Sequence, residues 1–193
     1  MSSTNRSNAR DLHIADYYRT PIKDIETFLN SMNYDINIDW NNVLILDPTA
    51  GGSETEEMSY PVAIEKTFGK CNIKTIDIRD DSRAETKGNY LEMSLDYKPN
   101  VIITNPPFNQ AIEVIKKSIE DVEDGGYVIM LLRLNFLETK ARKEFFDNYM
   151  PSYIYVYHRR LSFVEGKGSD SVAYAHFIWK KGSYPEFAKI KVI

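Results

Sequence analysis

The chain of 193 residues contains a single cysteine, Cys71, and therefore cannot form an internal disulfide. Such scarcity is typical of proteins in a reducing compartment, so the sequence predicts a cytoplasmic location. Long apolar segments are also missing, because no run approaches the ~20 residues that a membrane-spanning helix requires. The N-terminus has no signal-peptide core, and we therefore expect no membrane association.

Metal-ligand clusters and a dinucleotide-binding fingerprint are missing as well. The three histidines, His13, His158 and His176, stand far apart in the sequence, which argues against a metal site. They form no evident catalytic pair, so we expect them to be surface or structural residues. The loop after the first predicted strand lacks Gly-x-Gly-x-x-Gly, which disfavours an enzyme that transfers hydride.

Excess positive charge is lacking too, since the formal net charge is −4. A nucleic-acid enzyme is usually more basic, but the charge here is uneven. Residues 133–181 hold nine basic and five acidic side chains, a local net of +4 against −8 elsewhere. This region could contact a phosphate backbone, and its candidate substrate-binding residues are Arg133, Arg159 and Arg160. The alternative for each charge is an ordinary solvated surface.

The length of the chain indicates one domain, large enough for a hydrophobic core. We expect this domain to span residues 13–193 and to leave no room for a separate target-recognition domain. Residues 1–12 are rich in Ser, Asn and Arg and predict a disordered tail.

Apolar runs alternate with segments of helical spacing along the chain. The runs predict strands at 43–46, 73–78, 101–104, 127–132, 153–158 and 172–180. The spacings predict helices at 21–30, 61–68, 111–122 and 139–149. This alternation indicates an α/β fold with a mostly parallel sheet. A polar loop at 165–171 joins the last two strands, so we expect them to form an antiparallel hairpin at one edge.

The most informative motif is Asn105-Pro106-Pro107-Phe108, between the predicted strand at 101–104 and the next helix. Two prolines fix the backbone and end strand pairing, so one interpretation is simply a stiff loop. The other is a rigid turn that offers fixed hydrogen-bond acceptors beside a flat aromatic face. Such a turn suits the binding of a planar amine, as needed by an enzyme that methylates an exocyclic amino group.

Acidic and small residues follow two other predicted strands. Asp47 and Gly51 come after the first, where a carboxylate can meet a cation and glycine lets a ligand approach the backbone. Asp77 ends the second and can accept the hydroxyls of a ribose, although Asp80 competes for that role. Because parallel strands end at the same edge of a sheet, we expect a ligand site there.

Two further segments have both a structural and a ligand-binding interpretation. Asn89 and Tyr90 could read the edge and face of an adenine ring, or form a turn followed by a buried tyrosine. Thr20 and Pro21 fit the N-cap and first position of a helix. A helix N-terminus with a hydroxyl is also a good site for a carboxylate.

In chain order the motifs are YYRTP, DPTAGGS, IDI, NYL, NPPF and HRRLSFVEGKGSDSVAYAHFIW, and they extend from Tyr17 to Trp179. This ordered set resembles the S-adenosylmethionine-dependent DNA N6-adenine methyltransferases, and among them the small phage-type enzymes. The resemblance implies a Rossmann-like class I methyltransferase fold with a seven-stranded sheet. It also implies S-adenosylmethionine as cofactor and the cytoplasm of a bacterial host or phage-infected cell as location.

The resemblance assigns a role to each matching position. The implied catalytic residues are Asn105, Pro106, Pro107 and Phe108. The implied cofactor-binding residues are Tyr18, Thr20, Pro21, Asp47, Thr49, Ala50, Gly51, Asp77, Asn89 and Tyr90. Phe163 is expected beside the target base. The implied partner is DNA, either double-stranded with the base flipped out or single-stranded, and an oligomer is possible.

Other functions remain open from the sequence alone. The same motif could methylate another planar amine or amide, namely RNA adenine, cytosine N4 or a protein glutamine. A non-catalytic subunit could also keep the fold and bind nucleic acid. The loop after Asp47 reads Ala-Gly-Gly-Ser rather than the commoner Gly-x-Gly, which leaves its backbone contacts with the cofactor undefined.

Overall fold

The computed structural model describes residues 19–163 and 170–193, which contain eight strands and four α-helices. The strands are β1 (Leu44–Asp47), β2 (Asn72–Asp77), β3 (Thr86–Lys87), β4 (Val101–Thr104), β5 (Tyr127–Arg133), β6 (Tyr153–Val156), β7 (Tyr174–Lys180) and β8 (Lys189–Val192). The helices are α1 (Ile22–Asp35), α2 (Ser59–Phe68), α3 (Ala111–Asp121) and α4 (Lys140–Asn148). None of the described helices is long and apolar enough to cross a membrane.

The strands form one sheet in the order β3-β2-β1-β4-β5-β7-β6-β8. The first five strands of that order are parallel, whereas β7 runs antiparallel to both of its neighbours, β5 and β6. At the far edge β8 pairs with β6 in parallel. The α/β class and the mostly parallel sheet are therefore confirmed.

Two details of the sheet differ from the expectation. The described residues form eight strands rather than seven, and the antiparallel pair β6–β7 is not at the edge, because β8 lies beyond β6. The apolar pattern predicts neither β3, which has two exposed residues, nor β8, which alternates lysine with exposed Ile190 and Val192. The expected tail at 1–12 and most of the loop at 165–171 lie outside the described residues.

Helix α1 continues five residues beyond its expected end at position 30. Met32 extends the buried face formed by Ile25, Phe28 and Leu29, so the apolar stripe holds another turn of helix against the sheet. The predicted N-cap is wrong: Pro21, not Thr20, occupies that position, and no side chain caps the helix. The Thr20 hydroxyl is bonded elsewhere, to the side chain of Asn105.

Helices cover both faces of the sheet and make two hydrophobic layers. On one face α1 and α2 pack on inward-pointing residues such as Ile45 and Ile103. On the other, α3 and α4 pack on alternate residues such as Leu46 and Ile102. Strands buried on both faces read as continuous apolar runs, which is why the sequence locates them well. The strand order reverses at β1, which has β2 on one side and β4 on the other. At such a reversal, a crevice opens at the carboxyl ends of the strands.

Candidate functional site

Hydrogen bonds tie the carboxyl ends of β1 and β4 together. The Thr104 hydroxyl donates to Asp47 Oδ1 at 2.5 Å, and the Thr49 backbone N–H donates to the same oxygen at 3.3 Å. The hydroxyls of Thr49 and Thr104 lie 2.6 Å apart, and Thr49 Oγ1 also donates to the Asn105 carbonyl at 3.1 Å. The residue that ends β1 and the residue that opens the Asn-Pro-Pro-Phe motif are therefore held in one network.

Asp47 is a buried carboxyl group, with 1% of its surface exposed. Burial disfavours its charged form and raises its pKa to about 7, and the nearby charge of Asp77 acts in the same direction. The hydrogen bonds from Thr104 and Thr49 oppose this rise. A buried carboxyl with this pKa is suited to accept a cationic ligand, because a cation would restore the charge that burial disfavours.

Asp77 connects the end of β2 to the loop that follows β1. Its Oδ2 accepts the Gly51 N–H at 2.7 Å, and its Oδ1 accepts the Arg79 N–H at 2.8 Å. The loop is fixed a second time, because the Ala50 N–H donates to the Ile76 carbonyl at 3.0 Å. Asp80 lies exposed, beyond the end of the strand. This geometry favours Asp77 over Asp80 as the acid that faces the crevice.

The loop that follows β1 and is bonded to Asp77 depends on the backbone conformation of two glycines. Gly51 and Gly52 have φ values of 66° and 75°, in the left-handed region that other residues adopt at a cost. A Cβ at Gly52 would lie 2.9 Å from Met58 Cγ and 3.3 Å from the Glu56 carbonyl. The backbone here therefore has both an unusual conformation and no space for a side chain.

We expect Gly52→Ala to destabilise the protein more than Gly182→Ala. Both positions have left-handed φ, which should cost about 1–2 kcal/mol in each variant. Nothing lies within 4 Å of a Cβ at Gly182, so only Gly52→Ala adds the steric cost, about 1 kcal/mol or more. Chemical denaturation would measure the difference, and equal losses would show that the loop accommodates a side chain.

The Asn-Pro-Pro-Phe motif leaves β4 beside this loop. Asn105 Nδ2 donates to Thr20 Oγ1 at 3.1 Å, which brings the start of α1 to the motif. Pro106 is buried, whereas Pro107 and Phe108 are half-buried. Phe108 begins a short 3₁₀ turn at Phe108–Gln110 that leads directly into α3.

Phe108 belongs to a cluster of three aromatic rings and one guanidinium group. The Arg133 guanidinium carbon lies 4.7 Å from the centroid of the Phe108 ring, a cation–π contact. The Tyr174 ring packs against Phe108 at 5.9 Å and against Phe163 at 4.8 Å. Arg133 Nε also donates to the Tyr174 hydroxyl at 3.3 Å, and that hydroxyl donates to Asp170 at 2.5 Å. One face of Phe108 is thus occupied by Arg133.

Solved structures with the same architecture exist, although no family model and no curated protein matches the sequence. A candidate class I S-adenosylmethionine-dependent methyltransferase from Listeria monocytogenes aligns with a TM-score of 0.61 at 15% identity, over 91% of this chain and 65% of that one. A candidate RNA methyltransferase from Pyrococcus horikoshii gives 0.63 at 14% identity, over 87% and 89%. The M protein of the type I restriction enzyme EcoKI gives 0.58 at 14% identity, over 88% and 45%.

The chain has the class I methyltransferase fold. The fold expected from the sequence motifs is thereby confirmed, with one strand more than expected among the described residues. In this class I fold the crevice beside β1 contains Asp47, Thr49, Ala50, Gly51, Asp77, Asn105 and Thr20. Pro21 stands at the N-cap of α1, whereas Tyr18 lies outside the described residues.

Asn89 and Tyr90 follow β3 in the class I fold, but their side chains are engaged within the protein. Asn89 Oδ1 accepts the Leu91 N–H at 3.2 Å, and its Nδ2 donates to Glu92 at 2.8 Å. Tyr90 is buried, and its hydroxyl donates to Asp121 at 2.9 Å. The Tyr90 ring therefore packs in the core against α3, and its role in adenine binding stays a prediction. A role for Asn89 in adenine binding stays a prediction.

The three arginines predicted to bind substrate occupy different environments in the class I fold. Arg133 ends β5, and its guanidinium lies on the Phe108 ring. Arg159 forms an ion pair with Asp24, a buried residue of α1 whose pKa is raised because burial outweighs the nearby guanidinium. Arg160 is exposed beside it. Substrate binding by all three arginines stays a prediction.

Ile78 lies in the IDI motif, but the motif assigns it no ligand-binding role. It directly follows Asp77 at the end of β2, and 48% of its surface is exposed. An exposed isoleucine beside Asp77, the acid expected to bind a ribose, is suited to cover an apolar ring. The apolar pattern includes Ile78 in the predicted strand at 73–78, whereas β2 ends at Asp77, so hydrophobicity alone assigns Ile78 to the core.

The histidines differ in their placement. His176 is fully buried in β7, His158 is exposed, and His13 lies outside the described residues. Within residues 19–163 and 170–193, no group of three or more His, Cys, Asp or Glu side chains could hold a metal ion.

Proposed function

We propose that this protein transfers the methyl group of S-adenosylmethionine to the N6 amino group of adenine in DNA. The observation that carries the proposal is the position of Asn105-Pro106-Pro107-Phe108. The motif leaves β4 beside the buried Asp47, and both are joined by the Thr49 and Thr104 hydroxyls. The class I fold of the solved neighbours supports a methyltransferase, and the motif supports an amine as the acceptor.

The residues of the crevice fit S-adenosylmethionine. Asp47 offers a buried carboxyl to the ammonium group, and burial without a cation is what raises its pKa. Gly51 and Gly52 leave the backbone open to close approach. Each carboxylate oxygen of Asp77 accepts one backbone N–H. A carboxylate can accept about four hydrogen bonds in all, so Asp77 can still accept the ribose hydroxyls. Ile78 covers the adenine ring.

The motif positions the target amine. The exocyclic nitrogen of adenine is a poor nucleophile because its lone pair is delocalised into the ring. Asn105 Oδ1 and the Pro106 carbonyl each accept one N6 hydrogen, which draws the nitrogen toward tetrahedral geometry and localises the lone pair. This is positioning combined with electrostatic preorganisation, and it needs no strong base. The bound cofactor supplies an electrophilic methyl group on a positively charged sulfur.

The aromatic cluster determines which face of the Phe108 ring is available to the target base. Arg133 occupies one face of Phe108, so in this proposal the base stacks on the opposite face. Arg133 also carries positive charge to the rim of the site, where a phosphate would lie. A base in duplex DNA must first leave the stack, at a cost of a few kcal/mol, and single-stranded DNA avoids this cost.

Methyl transfer from labelled S-adenosylmethionine to DNA, RNA and protein, assayed in parallel, would test the proposal. We expect label in duplex or single-stranded DNA, and N6-methyladenine as the modified nucleoside. Label only in RNA, in cytosine or in glutamine would replace the proposed substrate with one of those alternatives. A titration that detects no binding of S-adenosylmethionine would overturn every methyltransferase interpretation.

A further inference from the structure

Arg133 and Tyr174 lie side by side at the edge of the sheet where the motif begins. They are opposite each other in the antiparallel pair β5–β7, and Arg133 is the last residue of β5. Strand β5 is parallel to β4, with Met130 opposite Thr104, so β5 continues beyond the residue at which β4 ends. Both side chains therefore reach the level of the Asn-Pro-Pro-Phe motif, and both contact the Phe108 ring.

Hydrogen bonds fix the Arg133 guanidinium through only one of its three nitrogens. Arg133 Nε donates to the Tyr174 hydroxyl at 3.3 Å, and that hydroxyl gives its own proton to Asp170 at 2.5 Å. Asp170 is itself held in place, because its backbone N–H donates to the Leu161 carbonyl at 2.9 Å. Tyr174 thus orients Arg133 through its oxygen, while its ring packs against Phe108.

The other two nitrogens of Arg133, Nη1 and Nη2, have no hydrogen-bond or ion-pair partner among the residues that the structure describes. They are also not among the buried atoms that lack a partner, so they are accessible. Asp170 brings a carboxylate to the same cluster, but it bonds to the Tyr174 hydroxyl and forms no ion pair with Arg133. Arg133 therefore presents a fixed, positively charged pair of N–H groups, a geometry that matches two oxygens of a phosphate.

We infer that Arg133 binds a phosphodiester group that flanks the target adenine, and that Tyr174 is a positioning residue for this contact. The inference rests on the proposed function and narrows its substrate to a polynucleotide with a charged linkage beside the target base. A base stacked on the open face of Phe108 would hold its flanking linkages near this ring, and the Nη groups would neutralise one of them. A protein glutamine carries no such anion, so the contact would favour nucleic acid over protein.

A scan of methylphosphonate linkages tests the contact, because each substitution removes the charge of one phosphate. The probe is a single-stranded DNA oligonucleotide built around an adenine that the protein methylates. We expect one neutral linkage beside that adenine to lower kcat/KM of the wild type by ~10-fold, the effect of losing a hydrogen bond between charged groups. In Arg133→Gln the unmodified probe should already show this loss, and the same neutral linkage should cost less than ~2-fold more.

Arg142→Gln is the matched control for the arginine. The Arg142 guanidinium carbon also lies on a phenylalanine ring, at 4.8 Å from the centroid of Phe136, but this pair belongs to the hydrophobic layer on the opposite face of the sheet. We expect Arg142→Gln to keep the wild-type kcat/KM and the full effect of the neutral linkage.

Tyr174→Phe tests the positioning role, because it keeps a ring against Phe108 and removes only the hydroxyl that accepts from Arg133. The neutral linkage should then cost at most ~3-fold, since the guanidinium is no longer held in place. Tyr155→Phe is its control: it removes a hydroxyl that donates to Asp35 at 2.8 Å, and it should keep the full effect. A full effect of the neutral linkage in Tyr174→Phe would overturn the positioning role.

The phosphate contact and the proposed function fail by different results. A neutral linkage that costs the same in the wild type and in Arg133→Gln would overturn the contact alone, as would a wild type that tolerates a neutral linkage on either side of the adenine. A wild type that transfers no methyl group to DNA would overturn the proposed function. The salt dependence of its binding to single-stranded DNA then decides the contact: Arg133→Gln should reduce the slope of log Kd against log salt concentration by ~0.7, the counterion release of one phosphate. Equal slopes, or no binding, would overturn it.

Discussion

Asn105→Ala is expected to lower kcat for methyl transfer by ~10³-fold, the effect of removing a preorganised group that contacts the reacting atoms. The variant loses the Oδ1 acceptor for the N6 hydrogen and leaves the Thr20 hydroxyl without its donor. The affinity for S-adenosylmethionine should remain within ~3-fold of the wild type, because the groups around Asp47 and Asp77 are untouched. Single-turnover kinetics with adenine-containing DNA would measure the loss.

The chain offers a matched control four residues further on. Asn109 is exposed in the 3₁₀ turn after the motif, so Asn109→Ala makes the same chemical change outside the crevice. We expect its kcat to equal that of the wild type. Unchanged kcat in Asn105→Ala would refute the mechanism, and equal losses in the two variants would indicate a general effect on the turn.

Asp47→Asn is expected to lower the affinity for S-adenosylmethionine by ~10- to 100-fold, because a hydrogen bond to a charged group is worth about 1.5–3 kcal/mol. The asparagine oxygen can still accept from Thr104 and Thr49, so the local structure should persist. Only the charge that would meet the ammonium group is lost. Calorimetric titration at pH 8, where Asp47 is mostly ionised in the wild type, would show the full difference.

The raised pKa of Asp47 predicts that the affinity for S-adenosylmethionine and the stability of the free protein change in opposite directions with pH. Because the pKa of Asp47 is raised to about 7, the affinity of the wild type for S-adenosylmethionine should fall as the pH drops below 7. Without ligand, the protonated carboxyl favours the folded state, so its contribution to stability is complete below the unfolded pKa and is lost as the pH rises through 7. Asp47→Asn should therefore raise the melting temperature of the free protein at pH 8.

Asp124→Asn is the control for both measurements. Asp124 is 93% exposed and lies in the turn before β5, at the opposite edge of the sheet from the crevice. Its replacement should leave both the binding profile and the melting temperature nearly unchanged. A wild-type affinity that stays constant from pH 6 to pH 8 would contradict ammonium binding by Asp47.

The sequence predicts that Asp47, Asp77 and Asn105 lie close together, because the strands that precede them are recognisable as apolar on both faces. Such runs are recognisable without a structure, and parallel strands end at a common edge. The environment of Tyr90 could not be decided in this way, since a turn followed by an aromatic residue suits either a ring contact or the core. Its partner Asp121 is 31 residues away, and no local pattern encodes that pairing.

The buried hydrogen bonds of Asn105 and His176 were equally hidden. Asn105 bonds to Thr20, 85 positions away, and His176 to Tyr60, 116 positions away. By local rules Thr20 fits a helix cap. The two short strands β3 and β8 escaped detection because neither buries an apolar run. Local patterns thus predict the elements that bury apolar surface, whereas polar contacts between distant residues depend on the completed fold.

The position of β7 between β5 and β6 has a consequence for synthesis of the protein on the ribosome. Both neighbours of β7 precede it in the chain, and all seven of its residues pair with β5. Until Tyr174–Lys180 has emerged, β5 and β6 have no common partner, and the nascent chain lacks His176. A product that stops before Tyr174 would therefore contain the whole Asn-Pro-Pro-Phe motif without the Tyr174 ring that packs against Phe108. The site would then be complete only after β7 has been synthesised.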